Sequence, residues 1–375
     1  MTLASPALRS LARFSVIAST LLALALAWLY HFAPRHLALV ELTRYAPFLI
    51  YLVPGLIAFA LSWLLAPLWR VIAALALALM LTAVMDVSTG LRSDPLPPDA
   101  AAAGVRPVRL MTYNIKSYRA AFRWGGFVPL NNEIASQQPD ILVMQDAREV
   151  SRAGDLPFGM REVLPQHKLY AYGQYAIASR FPLSDCRRGD ISFRGEKHEY
   201  IRCTVDIGGT LVDVITAHLL TPRAGLNAAR FELHQGLDDW NHNVADRMTQ
   251  VDALVRDLVP LRRPTILAGD LNAPEHSPVV RTLMATGLRN AFSTAGRGWG
   301  YTHGHSLKPW VSFLRIDHIL VSPEIGVTSA HVGWRGGSEH RPVIADLLVP
   351  VRQGLRQPVD KSVDKPVDKS SGKSK

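Results

Sequence analysis

Charged residues are missing from three long stretches near the amino terminus. Residues 14–33, 46–69 and 71–85 contain no Asp, Glu, Lys or Arg, although these types make up 19% of the 375-residue chain. About 20 uncharged apolar residues are enough to cross a bilayer as a helix. The missing charge argues against a simple soluble enzyme and predicts a membrane domain over residues 1–90 with three transmembrane helices. Because only Arg70 separates the second and third stretches, we expect them to form a tight helical hairpin.

Two other interpretations of these stretches stay open. A cleavable signal peptide could account for residues 14–33, but its apolar core would be unusually long, and two more apolar stretches follow. A buried helix of a soluble domain could account for residues 71–85, because this stretch is short for a membrane span. The prediction of three spans is therefore tested by the lengths of the helices.

Cysteine is scarce, since the chain has only Cys186 and Cys203. They lie in the β-like segments "PLSDCRRGDISF" and "HEYIRCTVDI", which could pair as antiparallel strands and bring the sulfurs together. In an oxidising compartment such a pair forms a disulfide, whereas in a reducing compartment it stays as two thiols. A disulfide would favour a location outside the cytoplasm for this part of the chain.

The arginines that flank the apolar stretches do not decide the orientation in the membrane. Three lie on each side, Arg9, Arg13 and Arg70 against Arg35, Arg44 and Arg92. An odd number of spans with a cytoplasmic amino terminus would put the remaining chain on the outer face. We therefore predict a multi-pass protein of the cell (inner) membrane, with its larger domain on the periplasmic or extracellular face.

The rest of the chain divides by composition. Apolar residues are almost absent from residues 352–375, where a Val-Asp-Lys unit repeats, so a disordered tail is predicted. Prolines and small residues over 91–104 predict a linker. One large domain is expected between them, over residues 105–351. The net charge of +10 fits phosphate binding, and it fits a solvated surface beside anionic lipid equally well.

Within this domain, short apolar segments alternate with longer amphipathic ones. Residues 130–138 and 244–260 have helical spacing of apolar residues. Strands are predicted at six segments, "VRLMTYNI", "DILVMQD", "YAIASR", "TLVDVITAHL", "PTILAGDLN" and "IDHILVS". The pattern predicts two packed sheets covered by helices.

Polar residues cluster where three of the β-like runs begin or end. Asp270 and Asn272 lie in "TILAGDLNAP", Asp317 in "FLRIDHILVS", and Glu339 and His340 in "GSEHRPVIADL". A sheet can bring such residues together at one edge. Carboxylate and amide oxygens suit a hard divalent cation, and an imidazole can deprotonate water. Hydrolysis of a phosphate ester needs both.

Seven segments resemble, in the same order, those of a known family. They are "LMTYNI", "PDILVMQDA", "QYAIASRFPL", "TAHLL", "GDLNAP", "RIDHILVS" and "SEHRPV". From about Arg109 to Val349 the chain resembles the endonuclease/exonuclease/phosphatase superfamily, which includes DNase I, apurinic endonucleases, inositol polyphosphate phosphatases and neutral sphingomyelinases. The resemblance implies an α+β fold, a four-layer α/β/β/α sandwich that here follows three transmembrane helices. It also implies a site at one edge of the sheets with a divalent cation, Mg²⁺ or alternatively Mn²⁺.

The resemblance implies a role for five residues in the chemical step. Asp270 and Asn272 would position the attacking water and a phosphate oxygen. His340 would be the general base, oriented by Asp317, and His218 would donate a hydrogen bond or proton toward the phosphate. A histidine suits proton exchange near neutral pH, and a partner carboxylate fixes its tautomer.

Asn114, Asp146 and Glu339 are the metal-binding residues that the resemblance implies. Asp146 stands where the family has Glu, and Glu339 stands where it has Asp. Each change moves a carboxylate by a distance on the order of 1 Å, a displacement that can cost roughly a hundredfold in rate. The two departures leave open a changed metal preference or a weakened enzyme.

Taken singly, these residues have ordinary structural explanations. An Asn or Asp often caps a turn, and a lone His is often a hydrogen-bonded core residue. Only the ordered set favours a catalytic site. His242, His303 and His305 are interpreted as surface or loop residues.

Three functions remain open at this point. The first is a membrane-anchored, metal-dependent phosphoesterase, acting on a phosphodiester or phosphomonoester that is lipid-linked, because the anchor would raise the local concentration of such a substrate. The second is a membrane-tethered nuclease, for which Arg119, Arg123 and Trp124 in "RAAFRWGGF" could provide a basic, stacking surface, although nucleic acid is not the favoured partner. The third is a binding module of the same fold that has lost efficient chemistry.

Overall fold

The computed structural model describes residues 5–32, 37–46, 49–304 and 311–351. The predicted tail over residues 352–375 and the predicted loop residue His305 lie outside the described residues. The amino-terminal part is helical. Its helices are α1 (Pro6–Phe32), α2 (Ala38–Thr43), α3 (Leu49–Ser62) and α4 (Pro67–Leu79), and α4 continues as a π-helical turn over Met80–Val84.

Two of these helices, rather than the predicted three, are long and apolar enough to cross a membrane. They are Pro6–Phe32 and Pro67–Val84, and α3 is shorter. The predicted hairpin turn at Arg70 is wrong, because the chain turns over residues 63–66 and Arg70 lies within α4. Pro67 begins α4 because proline has no amide hydrogen, and the first turn of a helix needs none.

The remaining chain forms two six-stranded sheets. The first sheet has the order β11-β12-β1-β2-β4-β3 and the second has the order β5-β6-β7-β8-β10-β9. The strands are β1 (Val105–Asn114), β2 (Ile141–Gln145), β3 (Lys168–Tyr172), β4 (Tyr175–Ser179), β5 (Leu183–Asp190), β6 (Glu199–Ile207), β7 (Thr210–His218), β8 (Thr265–Asp270), β9 (Arg289–Asn290), β10 (Asp317–Val321), β11 (Gly326–Val332) and β12 (Val343–Pro350). All six predicted strands are confirmed, and β3, β9 and β11 were not predicted.

Helices cover the outer face of each sheet. On the first sheet they are α5 (Ser117–Ala120), α6 (Val128–Gln137), α7 (Arg148–Ala153) and α8 (Met160–Val163), and on the second sheet they are α10 (Leu233–Leu258) and α11 (Pro278–Met284). The helix α9 (Arg223–Phe231) packs on α10, and α12 (Ala291–Ala295) packs into the core between the sheets. Val143 of β2 and Val214 of β7 share the core between the sheets, whereas Leu142 packs outward with α6 and Leu267 packs outward with α10. The layers therefore run helix, sheet, sheet, helix, as predicted.

The two cysteines lie on adjacent strands. Cys186 of β5 and Cys203 of β6 form a disulfide with a Cα–Cα distance of 4.0 Å. Of the two alternatives that the sequence left open, the structure thus has the disulfide.

The amino-terminal helices pack directly against the two-sheet domain. Ala38 and Tyr45 share a buried cluster with Trp240 of α10 and with Phe313. Asp94, in the predicted linker, accepts hydrogen bonds from Arg289 Nη2 (2.9 Å) and from the Val327 amide (2.8 Å). The start of this linker is therefore held against the domain.

Candidate active site

Four of the predicted residues meet at one edge of the two sheets because strands end or begin there. Asn114 ends β1, His218 ends β7 and Asp270 ends β8. Asp317 begins β10, which is antiparallel to β8, and so lies opposite Asp270. His218 and Asp270 are partners in the parallel pairing of β7 with β8. The pairing of the strands thus places an imidazole and two carboxylates side by side.

Asn114 links the two sheets at this edge. Its Nδ2 donates to Asp270 Oδ2 over 2.9 Å, from the first sheet to the second. Its backbone carbonyl accepts from Ser338 Oγ (2.6 Å), and Ser338 Oγ in turn accepts from the His340 amide (3.2 Å). The buried Asn114 therefore fixes both a carboxylate and the backbone of a histidine.

His340 and Asp317 form a buried pair. His340 Nδ1 lies 3.0 Å from Oδ2 and 3.2 Å from Oδ1 of Asp317. Because the ionised form of Asp317 only accepts, Nδ1 then carries the proton and the neutral ring keeps a lone pair on Nε2. Nε2 lies 3.7 Å from Asp270 Oδ2. A general base needs this tautomer of His340, with the proton on Nδ1 and a lone pair on Nε2.

His303 lies in the site, although its sequence context predicted a surface or loop residue. Its ring stacks on that of His340 with a centroid distance of 4.2 Å and an interplanar angle of 6°. The side chain is buried, and Nδ1 lies 3.3 Å from the Glu339 carbonyl. An isolated bridge between His303 and Leu314 brings the loop here, and no local pattern in the sequence indicates that contact. His242, in contrast, is exposed on α10, as predicted.

His218 connects the buried carboxylates to the outer part of the site. Its Nε2 lies 3.4 Å from Asp270 Oδ2, and its Nδ1 lies 3.7 Å from Asp146 Oδ1. Nδ1 also lies 2.8 Å from Gln174 Oε1, so it donates to that amide oxygen. Lys116 Nζ pairs with Asp146 Oδ2 at 2.8 Å. Sequence reasoning missed Lys116 and Gln174, although the position of Lys116 two residues after Asn114 was a signal.

Asn272 adopts a left-handed backbone conformation, with φ of 51°. Its backbone amide donates to Asp270 Oδ1 (3.0 Å), and its side-chain Nδ2 donates to the Leu219 carbonyl (2.9 Å). Because the Leu219 carbonyl can only accept, the orientation of the Asn272 side-chain amide is fixed. The side-chain Oδ1 has no hydrogen-bond partner within the described part of the chain, and it is left for a ligand.

Glu339 is the predicted metal-binding residue that the structure does not bring to the others. Its carboxylate forms an ion pair with Arg119, in the segment "RAAFRWGGF". Arg123 of the same segment donates to the Gly337 carbonyl, so these two arginines hold the loop over residues 337–339. The side chain of Trp124 is fully exposed.

Burial dominates the titration of the inner residues. It raises the pKa of Asp317 to about 7, and it also raises the pKa of Asp270, where the charge of Asp317 adds to the effect. It lowers the pKa of His340 to about 4. Two close buried carboxylates disfavour each other's negative charge. The raised pKa values therefore show that the described side chains do not fully compensate the charge of Asp270 and Asp317.

The outer residues behave differently. Burial favours neutral Asp146, but the charges of His218 and Lys116 outweigh it and lower the pKa of Asp146 to about 2. The pKa of Lys116 is raised, since the charge of Asp146 outweighs the effect of burial. Burial and the neighbouring His340 lower the pKa of His303 to about 2. Asp146 is therefore charged and His303 neutral at physiological pH.

A family model described as "Endonuclease/Exonuclease/phosphatase family" matches residues 111–340. This range includes Asp146, His218, Asp270, Asp317 and His340. The chain belongs to the endonuclease/exonuclease/phosphatase family. Members of this family hydrolyse phosphoester bonds, so the protein is an enzyme of that class.

Several solved structures resemble this member of the family. An endonuclease/exonuclease/phosphatase from Beutenbergia cavernae has 22% identity over 65% of this chain and 72% of its own, with a TM-score of 0.47. A mannosyl-6-phosphatase from Bacteroides thetaiotaomicron has 17% identity over 64% and 99%, with a TM-score of 0.48. The human nocturnin catalytic domain with bound sulfate has 18% identity over 68% and 99%, with a TM-score of 0.47. No curated protein matches the chain.

The donor atoms of this family member fit a divalent cation. Ligand atoms of Asp270, Asp317 and His340 lie within 4.8 Å of one another. The raised pKa values of Asp270 and Asp317 mark a centre whose carboxylates lack compensating positive charge, and a bound cation would provide it. Charged Asp146 adds an oxygen donor at the outer side, where it already attracts Lys116.

A cavity of about 290 Å³ opens onto these residues. Its lining includes Lys116, Asp146, His218, Asp270, Asn272 and His340. The volume is at the lower limit of small-molecule sites, and the lining is polar. The cavity therefore suits a phosphate group and its first substituent better than a large apolar ligand.

Proposed function

We propose that the protein is a membrane-anchored phosphoesterase that uses a divalent cation and acts on a lipid-linked phosphate. The observation that supports the chemistry is the His340–Asp317 pair. In this pair Nδ1 of His340 donates to Asp317, so Nε2 is left as a base at the cavity. Phosphoester hydrolysis needs a base for the attacking water, and this is the buried histidine that the fold orients for it.

Each residue of the site has a separable task in this proposal. His340 accepts the proton of the attacking water at Nε2, and Asp317 stabilises the imidazolium. Lys116 and His218 face the phosphate oxygens and offer positive charge or a proton. Asn272 positions the phosphate or the water through its side-chain oxygen.

Asp146 and Asn114 are the proposed metal-binding residues, with Asp270 joined to Asn114 by a hydrogen bond, while Asp317 and His340 of the same buried group serve proton transfer rather than the cation. A bound divalent cation, Mg²⁺ or Mn²⁺, would neutralise charge on the phosphate. Glu339 could join them only if it left Arg119. The shorter side chain of Asp146 is therefore the departure from the family that bears most directly on metal binding.

The amino-terminal helices support attachment to a membrane. Only 28% of the most apolar stretch of Pro6–Phe32 and 22% of that of Pro67–Val84 is buried, so most of these apolar side chains are not enclosed by the described part of the chain. Their carboxyl ends meet the domain at the loop that follows Asn272, because His31 contacts His276 of this loop at a ring distance of 4.5 Å and Asp86 pairs with the same residue. A substrate held in the bilayer would thus lie close to the cavity.

The Cys186–Cys203 disulfide favours the outer face of the membrane for the domain. The helix α1 has 27 residues and so spans about 40 Å at 1.5 Å per residue. Because α1 and α4 both meet the domain at their carboxyl ends, their amino ends would lie on the opposite, cytoplasmic face, and the 14-residue α3 would return the chain between them. We therefore propose a domain facing the periplasm or the exterior.

The full chain in nanodiscs, supplied with Mg²⁺ or Mn²⁺, is the material for the decisive test. Hydrolysis of an aryl phosphodiester and of a panel of lipid phosphates is measured for the parent chain, for His340→Ala and for His242→Ala. We expect turnover that chelation abolishes and that His340→Ala lowers by about 100- to 10,000-fold. The exposed His242→Ala variant should retain full activity.

Two results would redirect the proposal. Metal-dependent cleavage of DNA without cleavage of any lipid phosphate would favour the tethered nuclease. A correctly folded parent chain that shows no turnover with either metal would favour the non-catalytic binding module.

A further inference from the structure

Tyr45 reaches the active site from outside the two-sheet domain. It follows α2, in the amino-terminal helical segment, and it is buried. Its hydroxyl donates to the backbone carbonyl of Asn272 over 2.9 Å. The helical segment therefore contacts the backbone of a residue whose side chain lines the catalytic cavity.

The hydroxyl of Tyr45 is the donor in this hydrogen bond, because a backbone carbonyl only accepts. Arg247 Nη1 of α10 donates to the hydroxyl oxygen, which is consistent with the hydroxyl proton pointing to an acceptor. The carbonyl of Asn272 is nearer, at 2.9 Å, than Glu41 Oε1, at 3.4 Å. The ring of Tyr45 packs edge-on against Trp240 with a centroid distance of 5.6 Å. Both contacts leave the hydroxyl little freedom to point elsewhere.

Asn272 needs such support because its backbone conformation is unfavourable. A residue other than glycine rarely adopts a φ of 51°, although Asn tolerates it better than most. Its amide is bound to Asp270 and its Nδ2 to Leu219, and Tyr45 binds the carbonyl. Three contacts from three different parts of the chain thus aim the remaining Oδ1.

A second contact from the same segment holds the other end of this loop. Glu41 Oε1 accepts from Ser277 Oγ over 2.6 Å, and Ser277 caps the start of α11. The Glu41 carboxylate is buried and is paired with Arg44 at 2.9 Å. Buried charges of this kind are costly unless they are paired, so the contact requires a fixed geometry. The loop over residues 272–277 is therefore held at both ends.

We infer that Tyr45 is a positioning residue of the active site, and that the helical segment is a structural part of the catalytic machinery in addition to an anchor. Tyr45 acts through Asn272, whose side chain it aims into the cavity. The inference rests on the proposed function for the role of Asn272, but the physical contact with the loop does not.

The test compares Tyr45→Phe with Tyr51→Phe in the full chain. Both variants lose one hydroxyl from the same helical segment, and the Tyr51 hydroxyl donates to the backbone of Thr43 instead. We expect Tyr45→Phe to lower kcat about tenfold with KM changed less than about twofold, since a small misplacement of a catalytic group lowers the rate steeply. We expect Tyr51→Phe to behave as the parent chain.

A double-variant cycle shows whether Tyr45 acts through Asn272. Asn272→Gly removes the side chain, retains the carbonyl and tolerates the positive φ. In that background, adding Tyr45→Phe should change kcat less than about twofold, because the group that it aims is gone. A full tenfold loss in both backgrounds, or an equal loss in Tyr51→Phe, would overturn the inference.

Hydrogen exchange of the amides over residues 271–277 gives a readout that needs no turnover. Tyr45→Phe should accelerate this exchange, and Tyr51→Phe should leave it unchanged. If the parent chain has no activity, the proposed function fails, while the exchange result still decides whether Tyr45 holds the loop. Unchanged exchange in Tyr45→Phe would show that it does not.

Discussion

At the scale of single residues, the site depends on what each polar group faces. Asp317 accepts from His340 Nδ1, whereas Asp146 meets Lys116, so two carboxylates of one site have pKa values of about 7 and about 2. Burial without a cation raises the first, and neighbouring cations lower the second. The same side-chain type thus has two different pKa values because its surroundings differ.

Asp317→Asn tests the pairing directly. The amide keeps the size of the side chain, but it stabilises an imidazolium much less than a carboxylate does. We expect kcat to fall about 100- to 10,000-fold. Asp346→Asn is the matched control, because Asp346 pairs with Arg109 (2.7 Å) on β1 and β12. Equal kcat values for the two variants, with both correctly folded, would remove the base role from His340.

At the scale of elements, one ion pair joins the end of the amino-terminal helices to the loop that follows β8. His276 of this loop pairs with Asp86, which follows the π-helical turn. Burial lowers the pKa of His276, but the charge of Asp86 outweighs it and the pKa is raised above 6.5. Burial likewise raises the pKa of Asp86, and His276 outweighs it and lowers the pKa below 3.8.

The signs of these shifts define a pH window for the stability of the junction. The contribution of His276 is complete below pH 6.5 and is lost as the pH rises through its raised pKa. That of Asp86 is complete above pH 3.8 and is lost as the pH falls through its lowered pKa. We expect His276→Gln to destabilise the chain by about 3 kcal/mol at pH 5.5 and by much less at pH 9.

Denaturant unfolding at both pH values measures this difference. His242→Gln, an exposed change on α10, should show no pH-dependent loss. A loss from His276→Gln that is the same at pH 5.5 and pH 9 would mean that the charge of His276 does not stabilise the junction.

At the scale of the whole molecule, membrane anchoring and the orientation that we propose with it are both open to test. With the domain on the outer face, a reporter fused after Val351 should be active only in its extracytoplasmic form, and Cys186 and Cys203 should react with a maleimide only after reduction. The same reporter joined to the amino terminus of the full chain should report the cytoplasm. Cytoplasmic activity of the fusion after Val351 would reverse the topology.

The positions of the strands and the side-chain types of the candidate site followed from the sequence because their signals are local. Dense apolar segments predicted six buried strands, and the polar residues at their ends predicted Asp270, Asp317 and His340 as neighbours, whereas His218 followed from the family resemblance. The edge strands β3, β9 and β11 were not predicted, because they are short or have weak apolar patterns. The turn between α3 and α4 was misplaced because the chain turns before Pro67, where no charged residue marks it.

The sequence by itself determined the layered fold, the apolar helices and the residue types at the candidate site, because strand patterns and side-chain types are properties of short segments. Only the tertiary structure decided that His303 stacks on His340, that Glu339 turns to Arg119, and that Tyr45 supports Asn272. These contacts join residues that are far apart in the chain. Their geometry depends on how whole layers pack, and no local pattern encodes it.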